Sequence, residues 1–281
     1  SMIFLPKFDL DNIIHNIPKS SAMMGVPTFY TRLLSDNRFN RNLVDHMRLF
    51  VSGSAPLLSE THVQFEKITG HRILERYGMT ETNMNTSNPY NGERRAGTVG
   101  LPLPGVDLKI TSPETGKEIS VDEIGQIEVR GPNVFKGYWK MPEKTKTELR
   151  ENGFFITGDL GKIDNDGYVH IVGRDKDLII SGGFNIYPKE LEFFLDKQLG
   201  VLESAVIGVP HGDFGETPIA IIVPSSGLQP DVYQIENNIK KSIARYKHPS
   251  KIITVSELPR NAMGKVQKNL LRNKYNFLFE K

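Results

Sequence analysis

Apolar and polar positions along the chain fall into blocks whose period changes from one stretch to the next. Near the start, Pro27 stands where a helix can begin, and Phe29, Tyr30, Leu33 and Leu34 recur on one face of residues 28–34. The continuous run Leu49-Phe50-Val51-Ser52 predicts a short buried strand ended by Gly53. Ser59 stands as a cap before a helix carrying Val63 and Ile68, and Gly70 stops it. Ile73-Leu74 then leads into Tyr77, and strand, helix, strand in this order predicts a parallel α/β unit. The opening Ile3-Phe4-Leu5-Pro6 reads as the end of a buried element, preceded by a Ser1-Met2 that resembles an expression scar.

Across residues 97–173 the runs shorten, and Gly, Pro and Asp punctuate them at 106–110, 125–130 and 168–172. Asn165-Asp166-Gly167 between two such runs predicts a hairpin. This stretch reads as an antiparallel sheet or a small antiparallel β-barrel. After Gly173 the pattern becomes mixed again. Leu178-Ile179-Ile180 predicts a strand, and Pro188 opens a helix with Leu191, Phe194, Leu195 and Leu199 on one face, ended by Gly200. Residues 205–207 and 219–223 predict strands, Val232, Ile235, Ile239, Ile243 and Tyr246 an amphipathic helix, and residues 252–255 a closing strand. The fold class is therefore α/β, with a small α+β module after a boundary near residues 174–176.

Composition narrows the function. A chain of 281 residues with 38% apolar and 24% charged residues is an ordinary globular protein, long enough for more than one domain. A net charge of +2 with mixed signs gives no reason to expect nucleic acid, and no apolar run reaches the length of a membrane span. Cysteine is absent, which removes disulfides, thiolate metal sites and cysteine nucleophiles. The seven histidines follow no metal-ligand spacing; His211 and Asp213 read as a solvated loop pair.

Four glycine-flanked strings carry chemistry. In Tyr77-Gly78-Met79-Thr80-Glu81-Thr82 the ring can stack on a base, Gly78 permits close backbone approach, the Thr80 hydroxyl can bond a phosphate and Glu81 can hold Mg²⁺. The plain alternative is a helix N-terminus capped by threonine. In Thr157-Gly158-Asp159 a carboxylate at a strand end could accept from two ribose hydroxyls, or form an ordinary Asx turn. In Gly173-Arg174-Asp175-Lys176-Asp177 the arginine could touch ribose or phosphate, pair with a neighbouring aspartate or lie exposed, and Lys176 could be a hinge or a solvated linker charge. Lys265 follows Gly264 in Pro259-Arg260-Asn261-Ala262-Met263-Gly264-Lys265. A Walker A loop is excluded, because the upstream glycine is missing and Val266 follows, but a Gly-Lys tip could deliver a cation to developing negative charge. No nucleophile elbow or dinucleotide fingerprint is present.

Together with Ser52-Gly53-Ser54-Ala55-Pro56, the order and spacing of these strings resemble the adenylate-forming superfamily, which includes acyl-CoA synthetases, luciferases and peptide-synthetase adenylation domains. Within it, Met84-Asn85-Thr86-Ser87-Asn88-Pro89-Tyr90 and Gly131-Pro132-Asn133-Val134-Phe135-Lys136-Gly137-Tyr138-Trp139 look most like the malonyl-CoA synthetases. The resemblance implies ATP, AMP, Mg²⁺ and coenzyme A as cofactors and a small carboxylic acid as substrate. Gly53, Ser54, Ala55 and Pro56 would line the adenine pocket with Tyr77, Gly78 and Met79. Thr80 would hold the AMP phosphate, Glu81 the Mg²⁺, and Asp159 and Arg174 the ribose. Lys176 would be the hinge, Gly182 and Gly183 would approach the pantetheine, and Lys265 would reach acid and phosphate during adenylation.

A dicarboxylate also needs a cation for its second carboxylate. Arg32 and Arg76 are the candidates, with Ser54 adding a hydrogen bond; pairing with Asp36 or Glu75 is the ordinary alternative. The resemblance divides the chain into residues 1–173, the C-terminal part of an adenylation domain, and 174–281, a mobile C-terminal domain. The superfamily's Ser/Thr/Gly-rich phosphate loop is not among these residues, so the chain reads as the C-terminal part of a longer protein and is expected to be inactive alone. The bacterial cytoplasm or the mitochondrial matrix would suit it. A medium-chain or aryl acid ligase, or a non-catalytic nucleotide-binding fragment, are the alternative readings.

Overall fold

The structure is a computed structural model that describes residues 1–225, 227–261 and 265–279. It divides into two compact units, 1–171 and 172–281.

The first unit opens with α1 (Leu10–Asn16), β1 (Ala22–Gly25), α2 (Pro27–Leu34), α3 (Arg41–Val44), β2 (Leu49–Ser52), α4 (Ser59–Thr69), β3 (Leu74–Met79), β4 (Asn83–Ser87) and β5 (Leu101–Pro102). These strands form one sheet in the order β1-β2-β3-β4-β5. β1, β2 and β3 run parallel, with α4 as the β2–β3 crossover, while β4 and β5 are antiparallel. The parallel part buries an aromatic cluster: Phe50 meets Phe65 edge-on at 5.0 Å, Tyr30 lies on Phe65 at 5.5 Å, and the Tyr30 hydroxyl donates to the Val51 carbonyl at 2.6 Å. Two local expectations change. Leu58, not Ser59, is the N-cap of α4 and offers no side-chain bond. The buried face of α4 is Thr61, His62, Phe65 and Thr69, while Val63 is exposed, because Phe65 packs on the core and residues four apart share its face. Ile3 and Phe4 are exposed rather than buried, and only Leu5 of that opening string packs on the core.

β6 (Asp107–Thr111), β7 (Gly125–Arg130), α5 (Pro142–Glu148), β8 (Phe155–Ile163) and β9 (Val169–Arg174) follow. The four strands form an open sheet in the order β6-β7-β8-β9, not a barrel. Closure needs the edge strands to pair, and no pairing of β6 with β9 occurs among the described residues. The 165–167 turn joins β8 to β9 with Gly167 at φ 84°, as its sequence predicts.

The second unit contains β10 (Ile179–Ser181), β11 (Phe184–Ile186), α6 (Pro188–Leu195), β12 (Val201–His211), β13 (Gly215–Pro224), α7 (Val232–Ser242), β14 (Lys251–Thr254) and α8 (Lys268–Tyr275). Its sheet runs β11-β10-β13-β12, with β14 parallel to β13. Helices α6 and α7 cover one face through Leu191, Leu195, Ile235 and Ile239, and α8 covers the other through Leu271. Leu199, expected on the α6 face, lies beyond the helix end and is exposed.

Candidate active site in the first unit

Three backbone irregularities build the site. The first is the turn 53–57 between β2 and α4. Ser54 adopts φ 70° there, and Ser54, Ala55 and Pro56 are exposed. A Cβ on Gly53 would lie 3.5 Å from the Arg76 side chain, so the turn rests against β3.

The second is the β3–β4 hairpin. Residues 77–82 do not start a helix: Tyr77 to Met79 end one strand, residues 80–82 turn, and Asn83 begins the next at φ 53°. The register slips between Tyr77 and Gly78, which brings Asn83 O to 1.9 Å from where a Gly78 Cβ would sit. Only glycine fits that crossing. The hairpin tip presents an exposed Thr80 beside Glu81. The Glu81 carbonyl accepts from Phe135 N–H at 2.8 Å, and Asn133 donates to the Thr82 carbonyl at 2.7 Å, so the 133–138 segment docks on the tip.

The third is a bulge in β8. Gln126 faces Leu160 while Glu128 faces Ile156, so residues 157–159 lie opposite Ile127 alone, two more than regular pairing allows, and Gly158 within them takes φ 69°. Asp159 therefore stands within β8 rather than at a strand end, buried, with its N–H on Thr157 Oγ1 at 3.1 Å. The bulge directs its carboxylate to β3, where the Tyr77 hydroxyl donates to Asp159 Oδ2 at 2.5 Å. The Tyr77 ring itself packs with Val99, Ile127 and Phe155.

Tyr138 and Glu148 were not legible from sequence as site residues. The Tyr138 hydroxyl donates to Glu148 Oε2 at 2.6 Å and lies 3.2 Å from Glu81 Oε1. Burial and these two carboxylates push the phenol well above its usual range. The Gly-Tyr-Trp string was the only signal available, and it carried no spacing argument. Glu81 beside Thr80 offers the hard oxygen donors that suit Mg²⁺ held jointly with phosphate. No group of three or more His, Asp or Glu side chains among the described residues forms a protein-only metal cage.

The two arginines differ. Arg32 is exposed, with its guanidinium over the Phe8 ring at 5.2 Å, and Asp36 pairs with Arg38 instead. Arg76 is half-buried. Its Nη1 approaches Met84 Sδ at 3.3 Å, its buried Nε has no hydrogen-bond partner, and no ion pair of Arg76 occurs among the described residues. Glu75 points elsewhere and takes the Leu57 N–H.

The remaining candidates belong to the second unit. Arg174 ends β9 and flanks a 3₁₀ turn, Asp175–Asp177, that exposes Lys176; Asp177 pairs with Arg272. Gly182 and Gly183, at φ 56° and 82°, form the two-residue β10–β11 turn. Lys265 is exposed, and its N–H bonds Asn261 Oδ1 at 2.9 Å, while Gly264 lies outside the described residues.

The profile of the AMP-binding enzyme family matches residues 1–139, and that of the AMP-binding enzyme C-terminal domain matches residues 190–265. The chain belongs to the adenylate-forming superfamily. It is 39% identical over 300 residues to a malonate–CoA ligase of Arabidopsis thaliana, covering 96% of this chain and 49% of that protein. It is 38% identical over 273 residues to a long-chain-fatty-acid–CoA ligase of Bacillus subtilis, covering 96% and 49%. The crystal structure of ATP-bound MatB from Rhodopseudomonas palustris superposes with a TM-score of 0.97 at 59% identity, covering 99% of this chain and 56% of that one. The chain thus spans about half the length of the curated relatives it matches.

Proposed function

We propose that this chain carries the nucleotide-binding and C-terminal parts of an ATP-dependent acid:CoA ligase whose acid is malonate, with methylmalonate a further candidate. The observation that carries the nucleotide part is the Tyr77–Asp159 bond, which fixes a buried carboxylate beside the hairpin that presents Thr80 and Glu81. Asp159 with Arg174 takes the ribose hydroxyls, residues 53–56 the adenine, and Thr80 the phosphate. Glu81 would hold Mg²⁺, which when bound offsets the negative charge of the nucleotide.

The malonate part rests on Arg76. A half-buried guanidinium with no carboxylate partner among the described residues, one residue before the nucleotide hairpin, suits the second carboxylate of a dicarboxylic acid. An apolar acyl chain gains nothing from such a charge, which argues against a medium-chain or aryl acid. Ser54 adds a hydrogen bond, and Arg32, on the Phe8 ring, is the weaker candidate.

In this reading residues 1–173 are the remaining part of the adenylation domain and 174–281 the mobile one, turning at Lys176. A carboxylate oxygen attacks the α-phosphorus and pyrophosphate leaves. Lys265 offsets the charge that gathers at this step. The thiol of CoA then attacks the acyl carbonyl, AMP leaves, and Gly182 and Gly183 let the thin pantetheine pass. The test is thioester formation by the full-length protein with malonate, methylmalonate, acetate, hexanoate and benzoate. Malonate is expected to exceed acetate in kcat/KM by about a hundredfold or more. A preference for hexanoate or benzoate would replace the malonate reading with the alternative, and no adenylate from any acid would leave only nucleotide binding.

A further inference from the structure

Glu75 has no part in the scheme above. It lies on β3 directly before Arg76, and adjacent side chains on a strand leave from opposite faces. Glu75 is 3% exposed, and its Oε1 accepts from Leu57 N–H at 2.9 Å. Its Oε2 is buried without a partner among the described residues, as is the hydroxyl of Ser52, its register partner on β2. An apolar side chain would fill this space without leaving an oxygen unsatisfied. The bond to Leu57 is what the acid supplies in return.

Leu57 closes the 53–57 turn. Within that turn Ser54 holds φ 70°, a left-handed backbone that a residue with a Cβ keeps only where its surroundings over-determine it. Two anchors do so: Gly53 against Arg76 at one end, and the Leu57 amide on Glu75 at the other. The exposed Ser54-Ala55-Pro56 segment hangs between them.

We propose that Glu75 is a positioning residue for nucleobase recognition, holding the strained 53–57 turn in its binding shape through the Leu57 amide. The inference rests on the nucleotide-binding reading above. Neither β2, the 53–58 turn nor β4 carries a titratable side chain. On the helices over this sheet, Tyr30 gives its hydroxyl to Val51, and burial disfavours the charged form of His62. Burial pushes Glu75 up to about 8, opposed by the Leu57 N–H, so the clamp is a neutral acid at pH 7.

The experiment compares Glu75→Gln and Glu75→Leu with the unaltered protein in titrations with AMP and with ribose 5-phosphate. Gln keeps an acceptor for Leu57 and should bind AMP within about threefold of the original, whereas Leu should lose about tenfold. Ribose 5-phosphate, which in that reading meets Asp159, Arg174 and Thr80 but not the 53–57 turn, should bind all three equally. Loss of both ligands together would make Glu75 merely structural, and AMP binding by Glu75→Leu at the original strength would end the proposal. Should Glu75→Leu not fold, exchange of the Leu57 amide decides: it should be slow in the unaltered protein and in Glu75→Gln, and slowed further by AMP but not by ribose 5-phosphate. A fast-exchanging Leu57 amide in the unaltered protein refutes the clamp. An unaltered protein that binds ribose 5-phosphate but not AMP would overturn the clamp alone, and one that binds neither would overturn the nucleotide reading with it.

Discussion

The Tyr77 hydroxyl lies 2.5 Å from Asp159 Oδ2, joining residues 82 positions apart in sequence. One belongs to the end of β3 and the other to a bulge in β8, so this bond ties the parallel sheet to the antiparallel one within the first unit. Tyr77→Phe keeps the packed ring and removes only the hydroxyl. It should lower the unfolding free energy by about 1–3 kcal/mol in urea titration and weaken AMP binding. A variant as stable as the original would mean that the bond contributes nothing net.

Gly78 tests the hairpin itself. A methyl group at this position meets the Asn83 carbonyl at 1.9 Å, a backbone atom that cannot move without undoing the register. Gly78→Ala should destabilise the first unit by about 3 kcal/mol or more, read as a drop in Tm, and abolish nucleotide binding. Unchanged melting would show that the β3–β4 crossing relaxes easily.

Arg76→Ala should raise KM for malonate far more than for acetate, because acetate has no second carboxylate to lose. A buried charge-assisted pair gives about 2–3 kcal/mol, or on the order of a hundredfold in the malonate/acetate ratio. An unaltered ratio would remove Arg76 from the acid pocket.

Lys265→Ala in the full-length protein should slow adenylate formation by about a hundredfold, the effect of roughly 3 kcal/mol of charge stabilisation. Thioester formation from supplied acyl-AMP should be spared. Equal losses in both half-reactions would count against a role confined to the first step.

Two buried glutamates should give pH effects of opposite sign. Glu75 is raised by burial from 4.5 to about 8, so its contribution to stability is complete below about pH 4.5 and is lost as pH rises through about 8. Burial also works against ionised Glu192, but Lys189, Lys268 at 2.6 Å and the Val206 N–H at 2.9 Å pull it down to about 2. Its contribution is present above about pH 4.5 and is lost as pH falls through about 2. Urea midpoints across pH should therefore show Glu75→Gln gaining on the original protein toward alkali and Glu192→Gln gaining toward acid. Curves that stay parallel at all pH values would contradict both assignments.

The elements were largely legible in the residues. Period, Pro and Gly located α2, α4, β2, α6, α7 and the 165–167 turn, because local backbone preference and one buried face decide such segments. The errors cluster where long-range pairing decides. The 77–82 string carries both a threonine cap and a first-turn acid, yet it turns back as a hairpin because β4 pairs with β3. The expected barrel is an open sheet because closure depends on edges that meet only in three dimensions. The α4 face differs from the Val63–Ile68 reading because Phe65 packs on Phe50 and Tyr30 and carries Thr61 and Thr69, four residues to either side, into the core.

By itself the sequence determined the chemical inventory, the order of its motifs and hence the superfamily, since glycine-flanked strings at fixed spacing survive translation into one dimension. The tertiary structure alone decided that Asp159 sits on a bulge facing Tyr77, that Arg76 meets no carboxylate among the described residues while Glu75 turns to Leu57, and that Tyr138 reaches Glu81. Hydrogen-bond partners and burial are properties of the folded arrangement: they depend on which strands meet and in what register, and a list of residues holds no distances.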